Sequence, residues 1–202
     1  MGALLAWGFI YACAATCGVV IAHFVCARFD GHEDGPPAIR LHPAIPIVFF
    51  ALLGIVVGAR GGDVAQLGTI ALLGIPLVGA WYSDARTGIV PDVFTLAPLG
   101  IIAIGVLLHH TWWVAISAIV IFAAFALAAT LSRGRGMGWG DAKLAMLGGA
   151  ALGLPISLLT LAIACFAATV VSVIRSRGAQ PIAFAPYIVI AMFLALGISI
   201  HG

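Results

Sequence analysis

The sequence predicts an all-α fold: a polytopic membrane helical bundle of about eight membrane helices, one of them short. Three observations carry this. Of 202 residues, 63% are hydrophobic and 8% charged, whereas soluble domains carry about a quarter charged residues; such a chain cannot cover a water-exposed surface. Mean hydropathy is +1.21. The apolar residues fall in runs near the length of a spanning helix, about 20 residues. The partner this composition indicates is a lipid bilayer, and a formal charge of +2 gives no reason to invoke nucleic acid.

The runs are 3–27, 44–59, 67–83, 93–110, 112–132, 144–174 and 182–200. The first lacks a basic start and is long for a signal-peptide core, so it reads as a retained span. The run 144–174 is too long for one ordinary span and contains "LGGAALGLP". Pro155 lacks an amide proton and clashes with a preceding helical turn, and Gly148, Gly149 and Gly153 weaken the same stretch. The run is therefore expected to split into a short helix near 142–153 and a span near 156–174. At a 1.5 Å rise per residue the first piece reaches only about 18 Å, a half-helix. No repeat is visible. The longest loop, "RFDGHEDGPPAIRLHP" from Arg28 to Pro43, is too short for a soluble domain, so residues 1–202 are expected to form a single membrane domain.

Basic residues support the split, because cytoplasmic loops are rich in Lys and Arg. With the N-terminus outside and eight crossings, Arg28, Arg40, Arg86, Arg133, Arg135, Lys143, Arg175 and Arg177 share the cytoplasmic side, and only Arg60 faces out. Without the extra turn, Arg175 and Arg177 fall opposite Arg133 and Arg135. Trp112 and Trp113 then lie at the outer interface, as in an aromatic belt. Their neighbours His109 and His110 read as a polar helix end in preference to metal ligands. Cys13, Cys17, Cys26 and Cys165 lie in apolar runs without a C-x-x-C pair and read as small buried apolar side chains. No metal or organic cofactor is expected.

Chemistry in such a chain rests with its few acids. Asp30, Glu33, Asp34 and Asp63 lie in loops and read as solvated charge. Asp84 ends the third span and Asp141 begins the short helix, which places both on one membrane face. Carboxylates drawn into a membrane boundary are costly and usually functional. Two of them a few ångströms apart share a proton; the charged one can take a proton from water while the protonated one polarises a carbonyl. That is the chemistry of an aspartic protease. Two plainer readings stand beside it: Asp84 as an exposed loop acid paired with Arg86, and Asp141 as a helix N-cap. Asp92 follows Pro91 and opens the fourth span with Thr95 three residues on, which suits an N-cap. The glycines of "GMGWGD" are either an interfacial linker or a backbone able to pass close to a substrate strand; the phosphate-loop pattern G-x-x-x-x-G-K-[ST] is absent.

At these residues the sequence resembles the type IV prepilin peptidases, membrane aspartic proteases of the G-x-G-D class. That family carries one aspartate in a pattern like D-x-x-x-x-x-[IVL]-P-[DN], here "DARTGIVPD" from Asp84 through Pro91 to Asp92, and a second in G-x-G-D-x-K-L, here "GWGDAKL" with Gly138, Gly140, Asp141 and Lys143. The patch "PIAFAPYIVIA" is similar to the family's proline-rich start of its last span, with Ala183 and Ala185 where proline and glycine are common. The likeness extends over roughly 67–200, the expected peptidase core. It implies that Asp84 and Asp141 are the catalytic pair, with Gly138, Gly140, Lys143, Pro91 and Asp92 as supporting motif residues. It implies a multi-pass protein of the bacterial inner membrane whose partner is a prepilin or pseudopilin substrate helix. A short basic leader would be cut from it at the cytoplasmic face, for type IV pilus or secretion-pseudopilus assembly. Lys143 either biases the charge of the pair or contacts headgroups. Many members insert a soluble domain with paired C-x-x-C motifs after the first span; here the loop holds no cysteine, so no methyltransferase domain is expected. Presenilin-like proteases share G-x-G-D but pair it with Y-D and P-A-L, and this chain has "YSD" and no P-A-L. The alternative is a proton-coupled transporter or channel subunit, which would want acids distributed through the bilayer depth.

Overall fold

In a bilayer every backbone N–H and C=O must find its partner within the protein, which makes the helix the natural form for each apolar run. The structure, a computed structural model, describes residues 2–28, 42–61, 63–131, 137–176 and 183–198. Those residues form eight helices and no strand: α1 (Gly2–Cys26), α2 (Ala44–Arg60), α3 (Val64–Thr87), α4 (Val93–His109), α5 (Trp112–Leu131), α6 (Trp139–Leu152), α7 (Leu154–Ser176) and α8 (Ala185–Ile198). Segments of α1, α3, α5 and α7 are long and apolar enough to cross a membrane; α2, α4 and α8 are shorter apolar helices. The predicted helical membrane bundle is what forms. Of the sequence features named above, Asp30, Glu33, Asp34, Arg40, Arg133, Arg135, Arg177 and the first residues of the C-terminal patch lie outside the described residues.

The direction of the helices follows from which residues meet. Tyr11 donates from its hydroxyl to the Leu67 carbonyl, and the Cys26 thiol reaches the Ser83 hydroxyl. The offset is nearly constant, so α1 and α3 run parallel. Between them in sequence, α2 returns antiparallel to α1, with Gly54 against Tyr11 and Gly58 against Trp7. Small residues let the backbones approach here, the usual device where lipid supplies no hydrophobic drive for helix association. A Cβ at Gly18 would lie 2.4 Å from the Ile75 carbonyl oxygen. Phe50 of α2 stacks between Tyr11 and Phe193, at ring distances of 4.9 and 4.4 Å, which ties α8 into the same core. At the far end Arg60 donates to the Gly197 carbonyl.

The central element is α3. Its nine consecutive residues from Leu77 to Ala85 are all buried, so this part is enclosed on every side, as expected of a core helix. By contrast α5 buries only Ser117, Ala118, Ile121 and Ala129 and presents large apolar side chains outward.

The split of the long run is present, and of the residues expected to make it Gly153 does so. Gly153, at φ 73°, closes α6 and returns its N–H to Gly149; a positive φ of this kind favours glycine. Pro155 lies in the first turn of α7, where its missing N–H leaves no gap. Gly148 and Gly149 lie inside α6 and are packing positions: a Cβ at Gly149 would come within 2.9 Å of the Ser117 carbonyl oxygen. Two further expectations meet the structure here. Cys13 and Cys17 are exposed on α1 and only Cys26 is fully buried, which corrects the reading of all four as buried; an α1 face turns away from the bundle. His110 does end a helix, as the left-handed C-cap of α4 at φ 53°. Trp112 and Trp113 are exposed at the same end.

Candidate functional site

The C-termini of α1 and α3 and the N-termini of α4, α6 and α8 meet at one end of the bundle, joined by side-chain and backbone contacts. Asp84 lies in the last turns of α3 and Asp141 in the first turn of α6. Among the described residues these are the two buried carboxylates, 6% and 9% exposed. They are close enough to interact electrostatically. The reading of Asp84 as an exposed acid paired with Arg86 is thereby excluded by its burial; Arg86 instead meets His23 Nδ1 at 3.0 Å.

Asp84 is held across the fold. Its Oδ2 accepts the Ala185 N–H at 2.9 Å. The reason is helix-end chemistry. The first N–H groups of α8 have no partner within the helix, and Pro186 has none to offer. Phe184 closes the turn by accepting the Tyr187 N–H, and a carboxylate at a helix N-terminus complements its dipole. The Asp84 carbonyl meanwhile accepts the Gly88 N–H at 2.8 Å, with Gly88 in the left-handed conformation at φ 68° that ends α3.

Asp141 is held locally: its Oδ2 accepts the Gly138 N–H at 3.1 Å. The N-cap position expected for Asp141 is held by Gly138; Asp141 stands three residues inside the helix start and reaches back, the acid half of a capping box.

Between these two elements runs the segment Ile89–Asp92. Irregular backbone at such a site needs internal partners, and side chains of α3 supply them. The Ser83 hydroxyl donates to the Ile89 carbonyl at 2.8 Å, while Thr87 Oγ1 accepts the Ile89 N–H at 3.3 Å. Val90 is buried, and a Cβ added at Gly140 would lie 2.9 Å from the Val90 Cβ. The space beside Gly140 is thus filled by this segment. Gly138 is open and its backbone extended; a Cβ there would meet Asp141 Oδ2 first, at 3.5 Å.

Asp92 occupies the N-cap position of α4, but its side chain caps nothing. Its carbonyl takes the Thr95 hydroxyl, and its carboxylate pairs with Lys143. Lys143 thus pairs with Asp92 and not with Asp84 or Asp141. Pro91 lies between Val90 and Asp92 with its carbonyl accepting the Phe94 N–H, the start of α4.

The predicted site residues are thus brought to one end: Asp84 and Asp141 buried, Pro91, Asp92, Gly140 and Lys143 packed beside them, Gly138 at the open edge. Sequence reading missed several participants. Ser83 and Cys26 carried a faint signal, being polar or sulfur-bearing residues at the ends of apolar runs. The amide of Ala185 carried none, since a backbone N–H has no side-chain signature.

Neither a curated protein nor a solved structure matches the chain significantly. The family model of the type IV leader peptidase family matches residues 71–173, just over half of the chain, and that span contains both aspartates and the Ile89–Asp92 segment. The chain belongs to the type IV leader peptidase family.

Proposed function

We propose that this peptidase is a membrane aspartic endopeptidase that removes the short basic leader from prepilin or pseudopilin substrates, using water activated by Asp84 and Asp141. The observation that carries the reading is the burial of these two carboxylates, from separate helices, within electrostatic range of each other. A pair sharing one proton divides the work. The charged carboxylate takes a proton from water as the water oxygen attacks the scissile carbonyl carbon. The protonated one hydrogen-bonds to the carbonyl oxygen. Collapse of the tetrahedral intermediate breaks the C–N bond, and a proton passes to the leaving amine. No cofactor enters this scheme.

Charge supports a cytoplasmic site. Arg28, Arg86 and Lys143 share the aspartates' end and Arg60 holds the other, by their helix positions, which agrees with the positive-inside tendency. An inner-membrane location in a bacterium follows from the kind of substrate. The substrate's apolar helix would lie in the bilayer while its leader joint meets the pair at the interface. The cysteine-free first loop supports proteolysis without N-methylation. The proton-coupled transporter finds less support: the other buried polar side chains among the described residues are serines and threonines, not a chain of acids through the bilayer.

The test is a processing assay in membranes with a co-expressed prepilin. Asp84→Asn and Asp141→Asn should each abolish cleavage while the protein remains inserted. Full cleavage by both variants would overturn the aspartic mechanism, and dyad-dependent proton flux in liposomes without proteolysis would favour the transporter.

A further inference from the structure

We propose that the segment Ile89–Asp92 is the spacer that sets the separation of Asp84 and Asp141, and that Ser83 and Lys143 are the positioning residues that hold its two ends. This rests on the reading of the two aspartates as a working pair. Neither Ser83 nor Lys143 touches the reacting atoms; each acts through the spacer.

Asp84 and Asp141 belong to helices joined by more than fifty residues of chain, so their separation is set by what lies between α3 and α6. At its α3 side, the segment is fastened by Ser83, the immediate neighbour of Asp84. The Ser83 side chain is fully buried; it donates to the Ile89 carbonyl at 2.8 Å and accepts the Cys26 thiol at 3.2 Å. Its proton is committed and its oxygen is occupied, so its rotamer is fixed from two directions. In the middle, Val90 meets Gly140, the immediate neighbour of Asp141, at a distance that leaves no room for a Cβ. At its α4 side, Asp92 pairs with Lys143, two residues beyond Asp141. The spacer thus contacts the residue next to each aspartate and is tied to both helices.

The two fastenings differ in kind. Ser83 is fully buried, and its loss would leave the Cys26 thiol without its partner and the Ile89 carbonyl with only the longer Thr87 hydroxyl contact of 3.4 Å. The Asp92–Lys143 pair is partly exposed, with the Lys143 side chain 27% and the Asp92 side chain 59% exposed, and pairs of this sort contribute little to stability. Its value is directional: it chooses the position of the first turn of α6 relative to α4. Displacement of a reacting group by about 1 Å can lower turnover about a hundredfold, so a weak tie in the right place has a large kinetic effect.

The test measures the separation without relying on catalysis. In a full-length protein with Cys13, Cys17 and Cys165 changed to Ala and Cys26 to Ser, Asp84→Cys and Asp141→Cys are introduced together, and disulfide formation is timed under copper-phenanthroline oxidation in membranes. Ser83→Ala and Lys143→Met are then added singly, with Arg60→Ala at the opposite end as the control for general loosening. Cross-linking is expected to slow several-fold with Ser83→Ala and Lys143→Met and to keep its rate with Arg60→Ala. In parallel, with the aspartates intact, Ser83→Ala and Lys143→Met should lower kcat about tenfold with KM little changed, and the exchange Asp92→Lys with Lys143→Asp should restore most of the loss seen for Lys143→Met. A parent pair that never cross-links would overturn the paired-aspartate reading together with this inference. A parent that cross-links readily, with rates unmoved by Ser83→Ala and Lys143→Met, would overturn this inference alone.

Discussion

The carboxylate of Asp84 takes its hydrogen bond from Ala185, 101 residues further along the chain, whereas that of Asp141 takes its own from Gly138, three residues back. The donors also differ in surroundings. Ala185 is fully buried, while Gly138 lies at the open edge of the site. Two side chains of the same type, proposed for one reaction, are therefore built by different means. Asp84 exists as a buried, oriented carboxylate only when α3 and α8 are docked. Asp141 is oriented by the start of its own helix and needs the rest of the fold only to bring it near its partner. The difference separates chemistry, which should need both equally, from stability, which should not.

The largest expected effect tests the half of this contrast where the two are alike. Asp84→Asn and Asp141→Asn should each reduce prepilin processing by about 10³-fold or more, the scale seen when one member of a catalytic unit is removed. Processing is read by the mobility shift of the substrate. The amide oxygen introduced by Asp84→Asn can still accept the Ala185 N–H, and that introduced by Asp141→Asn can still accept the Gly138 N–H, so both variants should remain folded. A large residual activity in one variant alone would show that the two groups do not act as a unit.

Alanine at the same positions should pull them apart. Asp84→Ala leaves the Ala185 N–H buried without its partner, a cost of about 1–3 kcal/mol. Asp141→Ala leaves the Gly138 N–H at the site edge, where an outside acceptor can replace the carboxylate, and loss of a cap there costs about 0.5–1 kcal/mol. Thermal unfolding in detergent should therefore show a larger drop in Tm for Asp84→Ala. Equal drops would mean that the α8 amides are satisfied some other way and would remove the contrast.

The two glycines of the second motif sharpen it further. A Cβ at Gly140 would press on Val90 Cβ at 2.9 Å, while one at Gly138 meets nothing closer than 3.5 Å. Overpacking of this kind costs about 1–3 kcal/mol. Gly140→Ala should thus lower stability and processing together, and Gly138→Ala should leave the protein stable. Equal tolerance of both would show that the Val90 contact yields.

What was legible in the sequence follows the same line between local and remote. The short helix near 142–153 is α6, and the two carboxylates do share one end of the bundle, because hydropathy, charge placement and motif spacing are properties of contiguous residues. That Asp141 lies at a helix start was visible for the same reason, though Gly138 holds the N-cap position. The fastening of Asp84 was not, because its donor is a backbone amide at the start of α8, and no residue identity announces it. Asp92 shows the limit in another form. Its position at the head of α4 was readable, but its side chain turns to Lys143 across the fold, a choice that depends on how α4 and α6 dock. The helix break was expected from Pro155 together with Gly148, Gly149 and Gly153; which of them makes it, Gly153, depends on a backbone conformation that a sequence does not display.

The smallest effect tests whether Asp84 depends on the shape of α8 or only on its amides. Pro186 lies in the first turn of α8, directly after the donor Ala185. At that position a proline interrupts no hydrogen bond, and its ring restricts the unfolded chain. Pro186→Ala should therefore lower stability by roughly 0.4–1 kcal/mol and leave processing within a few-fold of the parent, because the Ala185 amide still points at Asp84. Thermal unfolding and the processing assay on the same preparation separate the two terms. If processing collapsed while stability held, the ring of Pro186 would be aiming the α8 amides. Asp84 would then depend on the local geometry of a remote segment as closely as Asp141 depends on its own helix start.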